Sequence, residues 1–289
     1  MLFLQLLLGG LQTGALYALT AAGFALIFGA TKVFHFAHGA AFTLAGYAFL
    51  ATWNAGWAWP LGVLVAVLVA TGFGVGMERF VYRPIGRHEG GFFTVFVAAF
   101  GVSLVVQNLI GMWVGRGFAV VETDLSRATE WLPDLFLAPV FWVSLGVAAV
   151  LFVALTIFLT RHPAGVALRA LSQNADLIRA YGLSANRLSV LAFALGSALA
   201  APAAVLTVMT TGMNEAVGHQ VMLISMAATI VGGVGSLRGA ALAGLALGVA
   251  ESVVLNFADP QWAEAASFIV LFAFILFRPA GLFGHAVAR

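Results

Sequence analysis

"GLQTGALYALTAAGFALIFG" (10–29) runs for twenty residues without a charged side chain, and the whole stretch 2–30 is equally free of charge. A membrane span needs about 20 mostly apolar residues. Of the 289 residues, 62% are hydrophobic and 8% charged, with a mean hydropathy of +1.05. A soluble domain carries roughly a quarter charged residues. Too little polar surface is left to cover a water-soluble globule, so this composition implies a bilayer as solvent. The N-terminal "MLFLQLLLGGLQTG" has no basic region and no small-residue cleavage site, and reads as the start of a span and not as a cleaved signal peptide.

Outward from this stretch, further apolar runs predict spans at 2–30, 38–54, 59–80, 92–115, 138–160, 188–210, 218–236, 240–257 and 263–277. The expectation is an all-α integral membrane protein of eight or nine transmembrane helices, eight if one Gly-rich segment is broken or re-entrant. Continuous apolar runs without alternation favour helices over a barrel. The whole chain, 1–289, reads as one transmembrane domain.

Basic residues orient it. With the N-terminus outside, Lys32, Arg79, Arg83, Arg87, Arg161, Arg169, Arg179, Arg187, Arg238, Arg278 and Arg289 fall inside, and only Arg116 and Arg127 outside. The loop of about 116–138 is then extracytoplasmic and acidic, with Glu122, Asp124, Glu130 and Asp134. It is a solvated connection or the place a binding protein touches.

Glycines at four-residue spacing, Gly10/Gly14, Gly72/Gly76, Gly111/Gly115, Gly235/Gly239 and Gly244/Gly248, favour close helix packing. "TIVGGVGSLRGAALAG" (229–244) has too many glycines for a plain helix. Broken helices near the midplane are where transporters place substrate, which makes Gly232, Gly233 and Gly235 path candidates.

"RALSQNADLIRAYGLSANRL" (169–188) is a polar island inside the cytoplasmic segment of about 161–187. Asn174 suits an N-cap, Asp176 the positive helix end, Arg179 the last turn and Gly182 the position after the C-cap. A short helix over about 175–181 follows, with Leu177, Ile178 and Tyr181 on one face, and Ser184 capping the next span. Two turns are unstable alone in water. That face therefore packs on the chain's own membrane surface or in a groove of a soluble partner. The single lysine, Lys32, lies in "ATKVFHF", without the glycines and Ser/Thr of a phosphate-binding loop. If ATP drives this protein, a partner supplies it. With no cysteine and a net charge of only +2, the sequence offers no disulfide or thiolate metal site and no nucleic-acid surface.

His35 and His38 can share one helical face, but no Cys, Asp or Glu stands nearby to complete a metal site. They read as hydrogen-bonding a helix break near Lys32, or as polar lining of a path. Glu251 lies inside an apolar span, and Gln107 and Asn108 sit mid-span; each faces a partner or lines the path. No clustered acid/base constellation points to a catalytic residue. A stand-alone carrier or channel would favour mid-span charge pairs and would not need a docking helix.

Several motifs together resemble the LivH-type permease subunits of branched-chain amino-acid ABC importers: "GLQTGALYALTAAGFALIFG" (10–29), "FHFAHGAAFTLAGY" (34–47), "MERFVYRPIG" (77–86), "GVALRALSQNADLIRAYGLSANRL" (165–188), "VGGVGSLRGAALAG" (231–244), "GVAES" (248–252) and "FRPAGLFG" (277–284). LivM-type subunits usually carry an extra N-terminal region before these motifs. The resemblance implies a non-catalytic permease in the bacterial inner membrane. Its partners would be a LivM-like second permease, two cytoplasmic ATPases that hold ATP and Mg, and a periplasmic substrate-binding protein. It also makes Arg169, Asn174, Asp176, Leu177, Ile178, Arg179, Tyr181 and Gly182 the ATPase-coupling residues. Relatives commonly have Asn at the position of His35, and often Met at that of Leu44. Relatives also carry urea, short amides or aromatic acids, and the same machinery serving one of these is the alternative.

Overall fold

The structure, a computed structural model, describes residues 2–88, 90–259, 261–278 and 280–283; the C-terminal Arg289 lies outside them. Each expected span is a helix: α1 (Leu2–Thr31), α2 (His38–Asn54), α3 (Trp59–Gly76), α5 (Phe92–Trp113), α6 (Val140–Arg161), α9 (Ala185–Thr210), α10 (Val217–Gly232), α11 (Leu237–Val254) and α12 (Gln261–Phe277). The α3 helix continues through a π-helical segment (Met77–Tyr82) into α4 (Arg83–Arg87). In the polar island, α7 (Pro163–Gln173) and α8 (Ala175–Ala180) follow one another. The multi-pass membrane architecture expected from composition is present.

Among the described residues, six helices, counting α3 through Arg87 as one, are long and apolar enough to cross a bilayer by themselves. Their most apolar windows differ widely in burial. The α1 window is 83% buried and that of α9 67%, whereas α3, α5 and α6 have 28%, 17% and 28%. So α1 and α9 form the protein interior, α11 at 44% is intermediate and packs along α1, and α3, α5 and α6 turn apolar surface outward to lipid or to a partner chain.

Small residues hold the interior helices together. On α1, a Cβ at Gly10 would meet Ser252 and Gly248 of α11, and one at Gly14 would meet Leu245. Gly244 of α11 lies against the backbone of Ala18. The pairs Gly10/Gly14 and Gly244/Gly248 thus face each other, as their spacing implied. Gly23 of α1 and Gly196 of α9 meet backbone to backbone. Gly72 and Gly76, by contrast, have nothing within 4 Å.

Two helices begin inside the thickness of the bundle. Lys32, at φ 59°, ends α1, and residues 33–37 carry no helix. His38, the first residue of α2, lies against Gly23, and its Nε2 donates to the Thr20 carbonyl at 3.1 Å. Eleven residues separate Thr20 from the end of α1, so the chain climbs back about 16 Å before α2 starts. The start of α10 meets it there: Gly218 packs on Gly39 and on Thr43. This explains why α2 has only 17 residues and α10 only 16. The expected Gly-rich break is present as the turn between α10 and α11, with Gly233 at φ 102° and Gly235 at φ 89°.

One end of the bundle is tied by the 116–138 loop. It carries a hairpin of β1 (Thr129–Leu132) and β2 (Leu135–Leu137), whose Phe136 exchanges two hydrogen bonds with the Gln5 side chain, at 2.7 and 3.1 Å. Ala119 pairs with Met213 in the α9–α10 connection. The start of α1 and this loop therefore share one end of the bundle.

Candidate functional site

A cavity of about 480 Å³ opens between α1, the C-terminal end of α9 and the start of α10. From α1 it takes Thr13, Leu16, Tyr17 and Thr20; from α9, Thr207 and Thr210. Gln220 and Val221 come from α10, Phe42 from α2 and Phe118 from the 116–138 loop. Ser252 of α11 reaches it, and the neighbouring Glu251 lies directly behind Tyr17, which donates to Glu251 Oε2 at 3.0 Å. Ser267 of α12 donates to Oε1 at 2.6 Å. A carboxylate in an apolar span needs such partners, and Glu251 is 7% exposed.

The expected path residues are placed differently from one another. Glu251 borders the cavity through Tyr17. His38 touches its wall through Thr20, while His35 is buried behind it, with Nδ1 2.7 Å from the Tyr82 hydroxyl of the π-helical segment. The two imidazoles lie 5.7 Å apart, ring to ring. They tie the 32–37 climb to α1 and to the π-helix, which is the hydrogen-bonded helix break foreseen near Lys32. Among the described residues no group of three or more His, Cys, Asp and Glu is placed to hold a metal ion. Gln107 is half-buried and Asn108 exposed, on the outward face of α5; the Asn108 amide donates to the Leu104 carbonyl at 2.8 Å. Neither belongs to this cavity. Gly232, Gly233 and Gly235 lie at the opposite end of α10. There Leu282 and Phe283 donate to the carbonyls of Val231 and Gly232, at 2.8 and 3.0 Å.

The cavity's other polar residues were not expected, although the sequence carries a signal for some of them. Thr13, Tyr17 and Thr20 stand at i, i+4 and i+7 in an apolar span, and Thr207, Thr210 and Thr211 at i, i+3 and i+4. Each set makes one polar stripe on a helix.

At the opposite end, α8 has the termini its sequence implied. Asn174 Oδ1 accepts from the amides of Asp176 and Leu177, at 2.9 and 3.0 Å. Gly182 is left-handed, at φ 76°, and donates to Arg179, while Leu183 donates to Ile178. This is a Schellman closure. Ser184 accepts from the Arg187 amide and caps α9. One expectation is corrected. Ile178 does not share a face with Leu177 and Tyr181; it is 4% exposed and packs into the chain's own core, while the other two are 52% and 76% exposed. The helix has an anchored back and a bare front. Arg169, Asp176 and Arg179 are exposed beside it, the last two ion-paired at 3.1 Å. The preceding α7, with Leu168 and Leu171 buried, makes the segment a helix pair.

The Asn174 cap gives a first prediction. Asn174→Ala should destabilise α8 by about 1 kcal/mol, read as roughly fivefold faster hydrogen exchange at the Asp176 and Leu177 amides. Unchanged exchange at both would remove the cap from the account.

Between the two sites runs α9, 26 residues with Pro202 inside it. Near its start, the Asn186 carbonyl accepts from Arg83 at 3.2 Å, and Arg83 also pairs with Glu78 at 2.9 Å. One helix therefore joins the capped α7–α8 segment to the cavity wall.

Comparison with known proteins agrees with this arrangement. The family model for "Branched-chain amino acid transport system / permease component" matches residues 6–277. The chain is 31% identical to the high-affinity branched-chain amino acid transport system permease protein BraD of Pseudomonas aeruginosa, over 98% of this chain and 96% of that protein. It is 28% identical to the corresponding permease protein LivH of Escherichia coli K12, with the same coverage. Among solved structures it is similar to a chain of PsaBC from Streptococcus pneumoniae in complex with Fab, with a TM-score of 0.54 at 14% identity, covering 96% of this chain and 92% of that one. That likeness supports the fold. With a family model matching nearly its whole length and relatives aligned end to end, the chain belongs to the family of permease components of branched-chain amino acid transport systems.

Proposed function

We propose that the chain is the non-catalytic, membrane-spanning permease subunit of an ABC importer for branched-chain or related amino acids. A binding protein delivers the substrate on the periplasmic side of the bacterial inner membrane, with the N-terminus outside and the C-terminus in the cytoplasm. A LivM-like second permease completes the membrane unit, and two cytoplasmic ATPases holding ATP and Mg power it. The observation that carries this reading is α8: a helix too short to stand alone, capped at both ends and anchored by Ile178, offering Leu177 and Tyr181 to a partner. The relatives' names support the substrate class.

In this reading the ATPases grip α8, and their ATP-driven closure moves the start of α9. Helix α9 carries the displacement to Thr207 and Thr210 at the cavity wall. A proline within a helix removes one backbone hydrogen bond, so Pro202 is where α9 can bend. Two alternating arrangements of packed helices are the general device for such switching.

The test is purification from the native membrane in mild detergent, with mass spectrometry of the co-purifying chains. Two ATPases and a second permease are expected. A chain that arrives alone and transports when reconstituted without ATP would overturn the proposal in favour of a secondary carrier.

A further inference from the structure

We infer that a second groove, between α1, α6 and α11, seats one acyl chain of an anionic phospholipid, with the lipid phosphate on Arg238. This goes beyond the transport reading and does not depend on it.

The groove has a volume of about 500 Å³. Ala15, Ala18 and Leu19 of α1 form its floor, on the face of that helix opposite to Thr13, Tyr17 and Thr20 of the cavity. Leu145 and Phe152 of α6 make one wall, and Leu242 and Leu245 of α11 the other. Small residues on those walls, Ala149 of α6 and Ala241 of α11, leave the space open. Arg238 alone among the lining residues has a polar side chain.

Shape selects the occupant. The three floor residues are only 3%, 8% and 1% exposed, although the groove stands above them, so it is narrow at its base. A helix with its side chains is about 10–12 Å across and cannot reach that base. A single polymethylene chain can, and it restores the van der Waals contacts that an unfilled groove forfeits. Length agrees with this. From Leu11 to Leu19, the lining positions of α1 extend over about 12 Å. One leaflet of a hydrocarbon core is about 15 Å deep. Past the Leu11 end, Gln12 donates to Ser144 of α6 at 3.3 Å and ties the two helices together.

Charge selects the headgroup. Helices α1 and α11 run antiparallel, with Gly14 against Leu245 and Ala18 against Gly244, so Arg238 lies beyond Leu19 at the other end of the groove. It is exposed, and it makes no hydrogen bond or ion pair with the described residues. A guanidinium stays charged, and its fork of N–H donors matches phosphate oxygens. Basic residues where spans meet the membrane surface attract anionic headgroups. One cation at the mouth of an apolar slot of leaflet depth is complementary to a lipid with a negative head.

The test is native mass spectrometry of the purified chain with its co-purifying partners, titrated in detergent with dioleoyl phosphatidylglycerol and dioleoyl phosphatidylcholine. Their tails are the same, and only the first carries a net charge. It should occupy one site per chain at least fivefold more tightly than the second, the scale of one basic residue facing an anionic lipid. Arg238→Gln should cut that preference at least threefold. Arg161→Gln, in the last turn of α6 and outside the groove, should leave it within twofold. Ala149→Phe fills the groove from an exposed position and should weaken both lipids at least fivefold. Arg238→Gln alters only an exposed side chain, and it decides the matter if Ala149→Phe fails to fold. Equal affinity of the two lipids, a preference unmoved by Arg238→Gln or moved as far by Arg161→Gln, or undiminished binding in a folded Ala149→Phe protein would overturn the inference. An Ala149→Cys chain that crosslinks to a second permease and retains no lipid would overturn it in favour of a protein interface.

Discussion

Leu177→Ser combined with Tyr181→Ser should strip the ATPases from the purified complex, lowering the ATPase retained per permease at least tenfold, while the chain stays folded. The two side chains are the bare front of α8, 52% and 76% exposed, one turn apart. Burying a large apolar side chain contributes about 1.5–3 kcal/mol. Loss of two such contacts weakens an interface by well over a factor of ten. The helix itself survives the change, because the Asn174 cap, the Gly182 closure and the buried Ile178 are untouched. Ile178→Ser is the contrasting variant. It removes the anchor and should lower the thermal stability of the permease as well as ATPase retention. A triple replacement would merge the two effects, which is why Ile178 is kept in the test. Retention of the ATPase at the wild-type level in the double variant, measured by quantitative mass spectrometry, would sink the docking role of α8.

The spans were legible because each is a continuous apolar run, a signal that does not depend on tertiary context. So were the ends of α8 and the start of α9, where Asn174, Gly182 and Ser184 act through local hydrogen bonds. The rotation of α8 was not. Leu177, Ile178 and Tyr181 can share a broad face by spacing, and only the packing of Ile178 into the core decides which side is covered. The α7 helix has only a weak sequence signal, because Leu168 and Leu171 are the only large side chains that mark its buried face. The break near Lys32 was legible, but not that the chain climbs back through residues 33–37, since a lysine takes the left-handed position that glycine usually marks. The cavity is tertiary in origin, as it needs α1, α9 and α10 brought together. Even so, the polar stripe Thr13, Tyr17 and Thr20 could have been read as one wall of it. Gln107 and Asn108 show the converse case. Their mid-span position was evident, but not that α5 would turn Asn108 outward, on the least buried of the long helices.

Gly218→Val should be strongly damaging, reducing monodisperse protein at least tenfold. The starts of α2 and α10 meet inside the bundle, and a Cβ on Gly218 would overlap the Gly39 carbonyl and the Thr43 hydroxyl. Overpacking a core costs about 1–3 kcal/mol when side chains can shift. Here the obstacle is backbone: Gly39 needs the same space in return, since a Cβ on it would overlap the Gly218 carbonyl. Moving α10 away would also carry off Val217, Gln220 and Val221, and with them the cavity floor. Gly72→Val on α3 is the matched control. Nothing lies within 4 Å of that position, so its effect should stay within about 0.5 kcal/mol. Both variants would be followed by yield and by thermal unfolding in detergent. A Gly218→Val protein as abundant and as stable as the Gly72→Val protein would mean that α2 and α10 do not meet below the cavity. The short lengths of those two helices would then need another cause, and the cavity another floor.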